Sequence, residues 1–302
     1  NGSLAVGVEP RLVIGTIAGN PPLLLSAQSD PVARSVTILA DGSFGSTGVL
    51  TGDPAALTQP SFATGTDGTY IVAGMPDGLQ SFAVSPAGVL TAADALADTA
   101  NTLLADVADT SAVTVAGTEF VAAVSAGEPG VTIVSVGLGG TLEWHGDIGA
   151  TDGLGISGAT SVDAAYVLGR SYLVIAGPGS SSLSVVEVAP DGTPILRDHV
   201  IDNLETRFQY VEALAISSIG DRTFVAAGGA DDGISLFELA PGGRLLHLTS
   251  VADDLLMTLA DVSAIALVAD GTNLEVIVAS LSETGVTRLS IDLSALGATM
   301  VA

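Results

Sequence analysis

The sequence predicts an all-β chain built from repeated four-stranded antiparallel units, and three observations carry that prediction. Val, Ile, Thr, Ser, Gly and Ala dominate, and short apolar stretches are broken by Gly, Pro or Asp, which is the composition of strands and tight turns. One strand type recurs as Tyr70-Ile-Val-Ala-Gly, Phe120-Val-Ala-Ala-Val, Tyr172-Leu-Val-Ile-Ala, Phe224-Val-Ala-Ala-Gly and Val276-Ile-Val-Ala-Ser, at spacings of 50, 52, 52 and 52, with Leu23-Leu-Leu-Ser-Ala as an earlier copy. Each copy is followed, at one phase, by an alternating strand and a turn that usually contains Gly.

The elements of the repeat follow in order. The recurring strand is called A. Strand B alternates with period two, as in Leu79-Gln-Ser-Phe-Ala-Val, Val131-Thr-Ile-Val-Ser-Val, Leu183-Ser-Val-Val-Glu-Val and Ile234-Ser-Leu-Phe-Glu-Leu. The turns Asp41-Gly42, Pro86-Ala-Gly88, Leu138-Gly-Gly140, Pro190-Asp-Gly192, Pro241-Gly-Gly243 and Leu296-Gly297 supply the positive φ of a hairpin. Strand C follows, as in Arg244-Leu-Leu-His-Leu, then a longer acidic connection, then a fourth strand such as Ala112-Val-Thr-Val or Ala213-Leu-Ala-Ile that closes the unit. Thr99–Asp106 and Asp253–Ala260 in the acidic connections read as one or two helical turns.

Four antiparallel strands per roughly 50 residues is the blade of a β-propeller. The reading is a single propeller domain over residues 1–302, with blades near 22–68, 69–118, 119–170, 171–222, 223–274 and 275–302. Six blades are expected and seven are the alternative. The last blade lacks an outer strand, which the N-terminal segment 11–20 would supply, leaving no free sheet edge.

Charge narrows the function classes. The formal net charge is −25, and all eight basic residues are Arg. A nucleic-acid partner needs clustered positive charge, so that class is excluded, and an anionic membrane surface is disfavoured for the same reason. No apolar run approaches the roughly 18 residues of a membrane span. There is no Cys, so neither a disulfide framework nor a thiolate metal site exists. The chain begins at Asn1 and reads as a processed chain or an excised domain. Asn1-Gly2-Ser3 matches a glycosylation sequon. The acidic composition without Lys or Cys resembles that of bacterial secreted and cell-surface proteins.

The A-to-B and C-to-D connections share one face of such a repeat and carry most of the loop carboxylates, so that face is the expected functional surface. Gly228-Gly-Ala-Asp-Asp-Gly-Ile-Ser-Leu is its most suggestive stretch, though it departs from a calcium nonapeptide at Ala230-Asp231. Asp231, Asp232, Asp253, Asp254 and Asp261 are the candidate cation ligands, with calcium the expected ion, because converging carboxylate oxygens suit that hard cation. The three His fall at different offsets in the repeat and read as packing residues, with no base partner visible. Trp144 reads as covering a blade edge, with sugar stacking as the alternative. No nucleophile elbow, zinc-binding H-E-x-x-H or phosphate loop is present.

Ser182-Leu-Ser-Val-Val-Glu-Val-Ala-Pro-Asp-Gly-Thr and Gly233-Ile-Ser-Leu-Phe-Glu-Leu-Ala-Pro-Gly-Gly-Arg resemble the strand-turn-strand signature of lactonase-like β-propellers. Phe224-Val-Ala-Ala-Gly-Gly is similar to their strand A. Similar repeats belong to large secreted bacterial calcium-binding proteins. The resemblance implies a propeller framework and, for an enzyme, a polar site at the central channel; no residue here matches such a site. The expectation drawn is a non-enzymatic binding or scaffold propeller of a secreted or surface-attached bacterial protein, whose acidic face engages divalent cations or a protein or glycan partner. The alternatives are a lactonase-like hydrolase and a structural subunit of an extracellular assembly.

Overall fold

Strands dominate the computed structural model, which describes residues 11–16, 22–27, 34–39, 43–49, 58–65, 67–85 and 89–294. The sequon and the turns at 41–42, 86–88 and 296–297 lie outside these residues. The described residues contain five antiparallel sheets of four strands and one of three. No helix among them is long and apolar enough to cross a membrane.

Two compact units contain the sheets. The first comprises residues 1–147 with 190–193, and the second 148–189 with 194–302. The first unit holds β1 (Arg11–Thr16), β2 (Pro22–Ala27), β3 (Arg34–Ile38) and β4 (Phe44–Val49), then β5 (Thr58–Thr64), β6 (Thr69–Met75), β7 (Gly78–Val84) and β8 (Leu90–Ala97). It also holds the sheet of β9 (Val107–Val115), β10 (Thr118–Ser125), β11 (Gly130–Val136) and β12 (Leu142–Gly149), whose last residues cross into the second unit. The second unit holds β13 (Ser161–Val167), β14 (Arg170–Gly177), β15 (Ser182–Val188) and β16 (Pro194–Ile201), then β17 (Ala213–Ile219), β18 (Arg222–Gly228), β19 (Gly233–Ala240) and β20 (Arg244–Ala252). Its last sheet is β21 (Val262–Asp270), β22 (Asn273–Ser280) and β23 (Val286–Asp292).

The sheets differ from the repeat reading by one strand of phase. Ala112-Val-Thr-Val lies in β9 and pairs with β10, so it opens its sheet instead of closing the preceding one. The recurring small-residue strand is therefore second in its sheet. It is hydrogen-bonded on both edges and covered on both faces, which is why β14 is buried from Ser171 to Gly177. First strands of neighbouring sheets lie against one another within each unit, β5 on β9 and β13 on β17 on β21.

The expected closure of the last blade by the N-terminal strand is corrected. β1 pairs with β2, Arg11 opposite Ala27 and Thr16 opposite Pro22. A hairpin across five connecting residues needs far less loop-closure entropy than pairing with the far end of the chain. The two expected helical turns are also replaced by side-chain-clasped loops. Asp98 Oδ1 accepts from the Thr102 hydroxyl (2.9 Å) and Leu104 N–H (3.1 Å), and in the other connection Asp253 Oδ1 accepts from Leu259 N–H (2.9 Å) and Asp254 Oδ1 from Leu256 N–H (2.7 Å). An Asp side chain that satisfies loop donors competes directly with helix formation.

An aromatic residue at the start of the second strand locks the Gly turn of the sheet that follows. In the second unit, Gly242 N–H donates to Tyr172 Oη (3.1 Å), and a Cβ on Gly243 would sit 2.8 Å from Tyr172 Cε1. In the first unit, a Cβ on Gly140 would sit 2.6 Å from Tyr70 Cε1. This contact explains why the repeat pairs an aromatic opening with a glycine turn. The core between sheets is assembled from these strands, with Tyr172, Val174, Leu183, Phe208, Val225 and Phe237 in one cluster of the second unit.

Candidate functional site

The connections β16–β17, β18–β19 and β20–β21 of the second unit bring together Asp202, Arg207, Asp231, Asp232, Asp253 and Asp261 through a chain of hydrogen bonds. Their local geometry starts from Gly233, the first residue of β19. Its φ is +153, and a Cβ there would meet Val251 O at 2.4 Å, so only glycine lets β19 enter beside β20. That entry fixes Asp231 and Asp232 just before it. Asp231 Oδ1 accepts from Gln209 N–H (3.2 Å), and its carbonyl accepts from Arg207 Nη1 (3.5 Å). Arg207 N–H donates to Ser235 Oγ (2.7 Å), which seats the Arg207 backbone on β19.

Asp231 is the electrostatically distinctive residue. Its carboxyl is pushed up to about 6, first by burial and then by the negative charge of Asp202, while Gln209 N–H and the Arg207 charge oppose the rise. A carboxyl poised there exchanges a proton near neutral pH, which an ordinary aspartate does not.

The other four predicted cation ligands have separate local tasks. Asp232 Oδ1 accepts from Asp261 N–H (3.3 Å), and its carbonyl accepts from Asp253 N–H (3.0 Å). Asp253 Oδ1 accepts from Leu259 N–H (2.9 Å), and Asp254 Oδ1 from Leu256 N–H (2.7 Å). Asp261 has φ +55, and its carbonyl accepts from Leu281 N–H (2.9 Å). The five aspartates thus occupy two adjoining connections. Among the described residues no group of three or more His, Asp or Glu is arranged to hold a metal ion.

Sequence reasoning passed over Asp202 and Arg207 as partners of Asp231. They lie 29 and 24 residues away in the chain, and only the loop clasp brings them near. It also passed over the hydroxyl beside each His. Ser135 Oγ is 2.8 Å from His145 Nε2, Ser184 Oγ 2.8 Å from His199 Nδ1, and Ser250 Oγ 2.8 Å from His247 Nε2. His145 also packs edge-on against Phe120, with ring centroids 5.0 Å apart. Trp144 is 46 % exposed. A second half-buried carboxyl, Asp163 on β13, is raised by desolvation against the pull of N–H groups from Ala164 and Ile216.

Together, the antiparallel four-stranded sheets and comparison with solved structures define a β-propeller-like fold. The chain is similar to a periplasmic gluconolactonase of Pseudomonas aeruginosa at 15% identity, TM-score 0.60, over 93% of this chain and 85% of that one. It is similar to a protein named as a candidate 6-phosphogluconolactonase from Bacteroides uniformis at 17% identity, TM-score 0.53, over 80% and 71%. It is also similar to the SapL1 lectin, solved with alpha methyl fucoside, at 10% identity, TM-score 0.56, over 95% and 94%. No family model matches the chain, and no curated protein matches it.

These likenesses correct the binding-or-scaffold reading. Propellers of the same fold include proteins named as gluconolactonases, so the framework serves enzymes, and the lactonase alternative is the better supported. The physical reason lies in the acidic loops. Asp98, Asp202 and Asp253, carboxylates of the connections read as one acidic face, accept hydrogen bonds from their own loops.

Proposed function

We propose that the chain is a lactonase-type hydrolase acting on sugar-derived lactones. In this reading each sheet is one blade of a six-bladed propeller, and the acidic composition supports a secreted or surface setting. The single observation that carries the chemistry is the Asp231 carboxyl held near neutral pH beside Asp202 and Arg207. As a carboxylate, Asp231 takes a proton from water while the water oxygen attacks the lactone carbonyl. The Arg207 guanidinium stabilises the oxyanion of the tetrahedral intermediate. The ring C–O bond then breaks, and the proton held by Asp231 passes to the departing alkoxide, giving the hydroxy acid. Asp202 acts on Asp231 through its charge, keeping the proton affinity matched to this exchange.

The gluconolactonase names support a polyhydroxylated lactone as substrate, and the lectin solved with methyl fucoside supports a sugar ring as its recognised part. The test is δ-gluconolactone hydrolysis followed by pH-stat above the spontaneous rate. Asp231→Asn is expected to lower kcat by about 100-fold or more, the usual worth of a general base. Hydrolysis unaffected by both Asp231→Asn and Arg207→Gln would remove the reaction from this cluster. Absence of hydrolysis would refute the reading, and methyl fucoside titration would then measure sugar binding alone.

A further inference from the structure

Three serine–histidine pairs lie among the described residues, and they are not chemically equivalent. In the second unit, Ser184 is fully buried beside His199, out of reach of any substrate. The Ser250 hydroxyl donates to Glu205 O (2.8 Å), so its proton is directed away from the His247 ring. Ser135 and His145, in the first unit, differ on both counts. Ser135 on β11 and His145 on β12 are each partly exposed, and the His ring is the partner of the Ser135 hydroxyl.

The far side of the His145 ring fixes its tautomer. Nδ1 lies 2.9 Å from the backbone carbonyl of Asp191, which can only accept. Nδ1 therefore carries the ring proton, and Nε2 presents its lone pair to the Ser135 hydroxyl at 2.8 Å. A nucleophile in hydrogen-bond reach of a base, with the base oriented by a third group, is the arrangement that activates a serine. The Asp191 carboxylate is within electrostatic reach of the ring and is held below the usual range, first by Thr193 and in smaller part by His145. It stays ionised beside the ring.

The framework does not require this pair. Ser135 stands opposite Phe120, the position that Glu187 occupies opposite Tyr172 in the following sheet. There Glu187 pairs with Arg197 at 2.7 Å, a plain salt bridge. A serine and an oriented imidazole stand where an ion pair would serve the fold.

We propose that Ser135 and His145 form a nucleophile–base dyad that hydrolyses carboxylic esters of small acyl groups through an acyl-serine intermediate. The Ser135 oxygen attacks the ester carbonyl as its proton moves to His145 Nε2. The ester C–O bond breaks, and the imidazolium returns that proton to the departing alcohol. Water then attacks the acyl-serine with His145 as base, releasing the carboxylic acid and restoring the hydroxyl. No cofactor or redox partner is needed. The proposal is independent of Asp231, which lies in the other unit.

The test is p-nitrophenyl acetate with the whole chain, combining nitrophenolate release with mass mapping of the acetylated peptide. A release burst with acetyl on Ser135 is expected. Ser135→Ala should abolish both the burst and the label while melting with the parent. His145→Gln should slow acylation by about 100-fold or more, the usual worth of a general base. Should His145→Gln fail to fold, the Ser135 label and its loss in Ser135→Ala still decide the matter. No release, release without acetyl on Ser135, or an unchanged burst in Ser135→Ala would each show a framework polar pair only and overturn the proposal.

Discussion

Replacing Asp231 with Asn separates the proton chemistry of this residue from its hydrogen bonding, because Asn Oδ1 still accepts from Gln209 N–H. The Asp231 carboxyl rises from the ordinary 3.8 to about 6 in the folded chain. At about 1.4 kcal/mol per tenfold change in proton affinity this is an upper bound of roughly 3 kcal/mol, and solvent screening at a partly exposed carboxyl reduces it to about 1 kcal/mol. The folded value lies above the unfolded one, so the folded chain holds the proton more tightly. That stability is fully present below about pH 4 and is lost as pH rises through about 6. The Asn variant has no such loss. Its stability relative to the parent should therefore improve by about 1 kcal/mol between pH 4 and pH 7.5, or about 2 °C in Tm for a chain of this size. Urea unfolding followed by circular dichroism at the two pH values measures the gap. A difference that stays constant, or that shifts in the parent's favour toward pH 7.5, would refute the burial and charge argument. If Asp231 is also the general base, the variant gains stability relative to the parent toward neutral pH while losing activity, the trade expected where a site holds an unfavourable charge.

Four further outcomes follow from the geometry. Asp202→Asn removes the charge that raises Asp231, so an NMR titration of the Asp231 carboxyl should move toward the ordinary aspartate range; an unmoved titration would leave burial as the sole cause. Gly243→Ala places a methyl 2.8 Å from Tyr172 Cε1 and 2.7 Å from Arg197 Cβ at a φ of +84, and should lower stability by about 2–4 kcal/mol, read from denaturant midpoints. Asp163→Asn should gain stability over the parent as pH rises from 4 toward neutral, since burial raises this carboxyl; a constant difference across pH would contradict that cause. Calcium, compared with matched magnesium, should move Tm by less than about 1 °C, because Asp231, Asp232, Asp253 and Asp254 each already accept a backbone N–H. A calcium-specific shift of several degrees would instead assign a site to these aspartates and Asp261.

Much of the architecture is written in the order of residues. Strand periodicity, the glycine turns and the 50–52-residue repeat identify antiparallel sheets, because side-chain alternation and turn chemistry are local properties. The sheet phase was not legible. A strand such as Ala112-Val-Thr-Val can close one sheet or open the next with the same alternation, and pairing across the Ala116-Gly117 turn decides it. The pairing of β1 with β2 was hidden for the same reason, since Arg11-Leu-Val-Ile fits either a local hairpin or a distant edge.

The functional residues divide along the same line. Composition alone excluded a basic nucleic-acid surface, thiolate chemistry and disulfides, and the repeat singled out Asp231 in its acidic loop. That Asp231 faces the charge of Asp202, and that His145 meets Ser135 with its other nitrogen on Asp191, depends on loops and strands converging from distant parts of the chain. The sequence determined a repeating antiparallel sheet protein with acidic connections, because hydrophobic alternation and glycine turns act over a few residues. Only the tertiary structure decided which carboxyl holds a proton near neutral pH and which serine has an oriented base, because burial and charge act through space between residues that the chain order keeps apart.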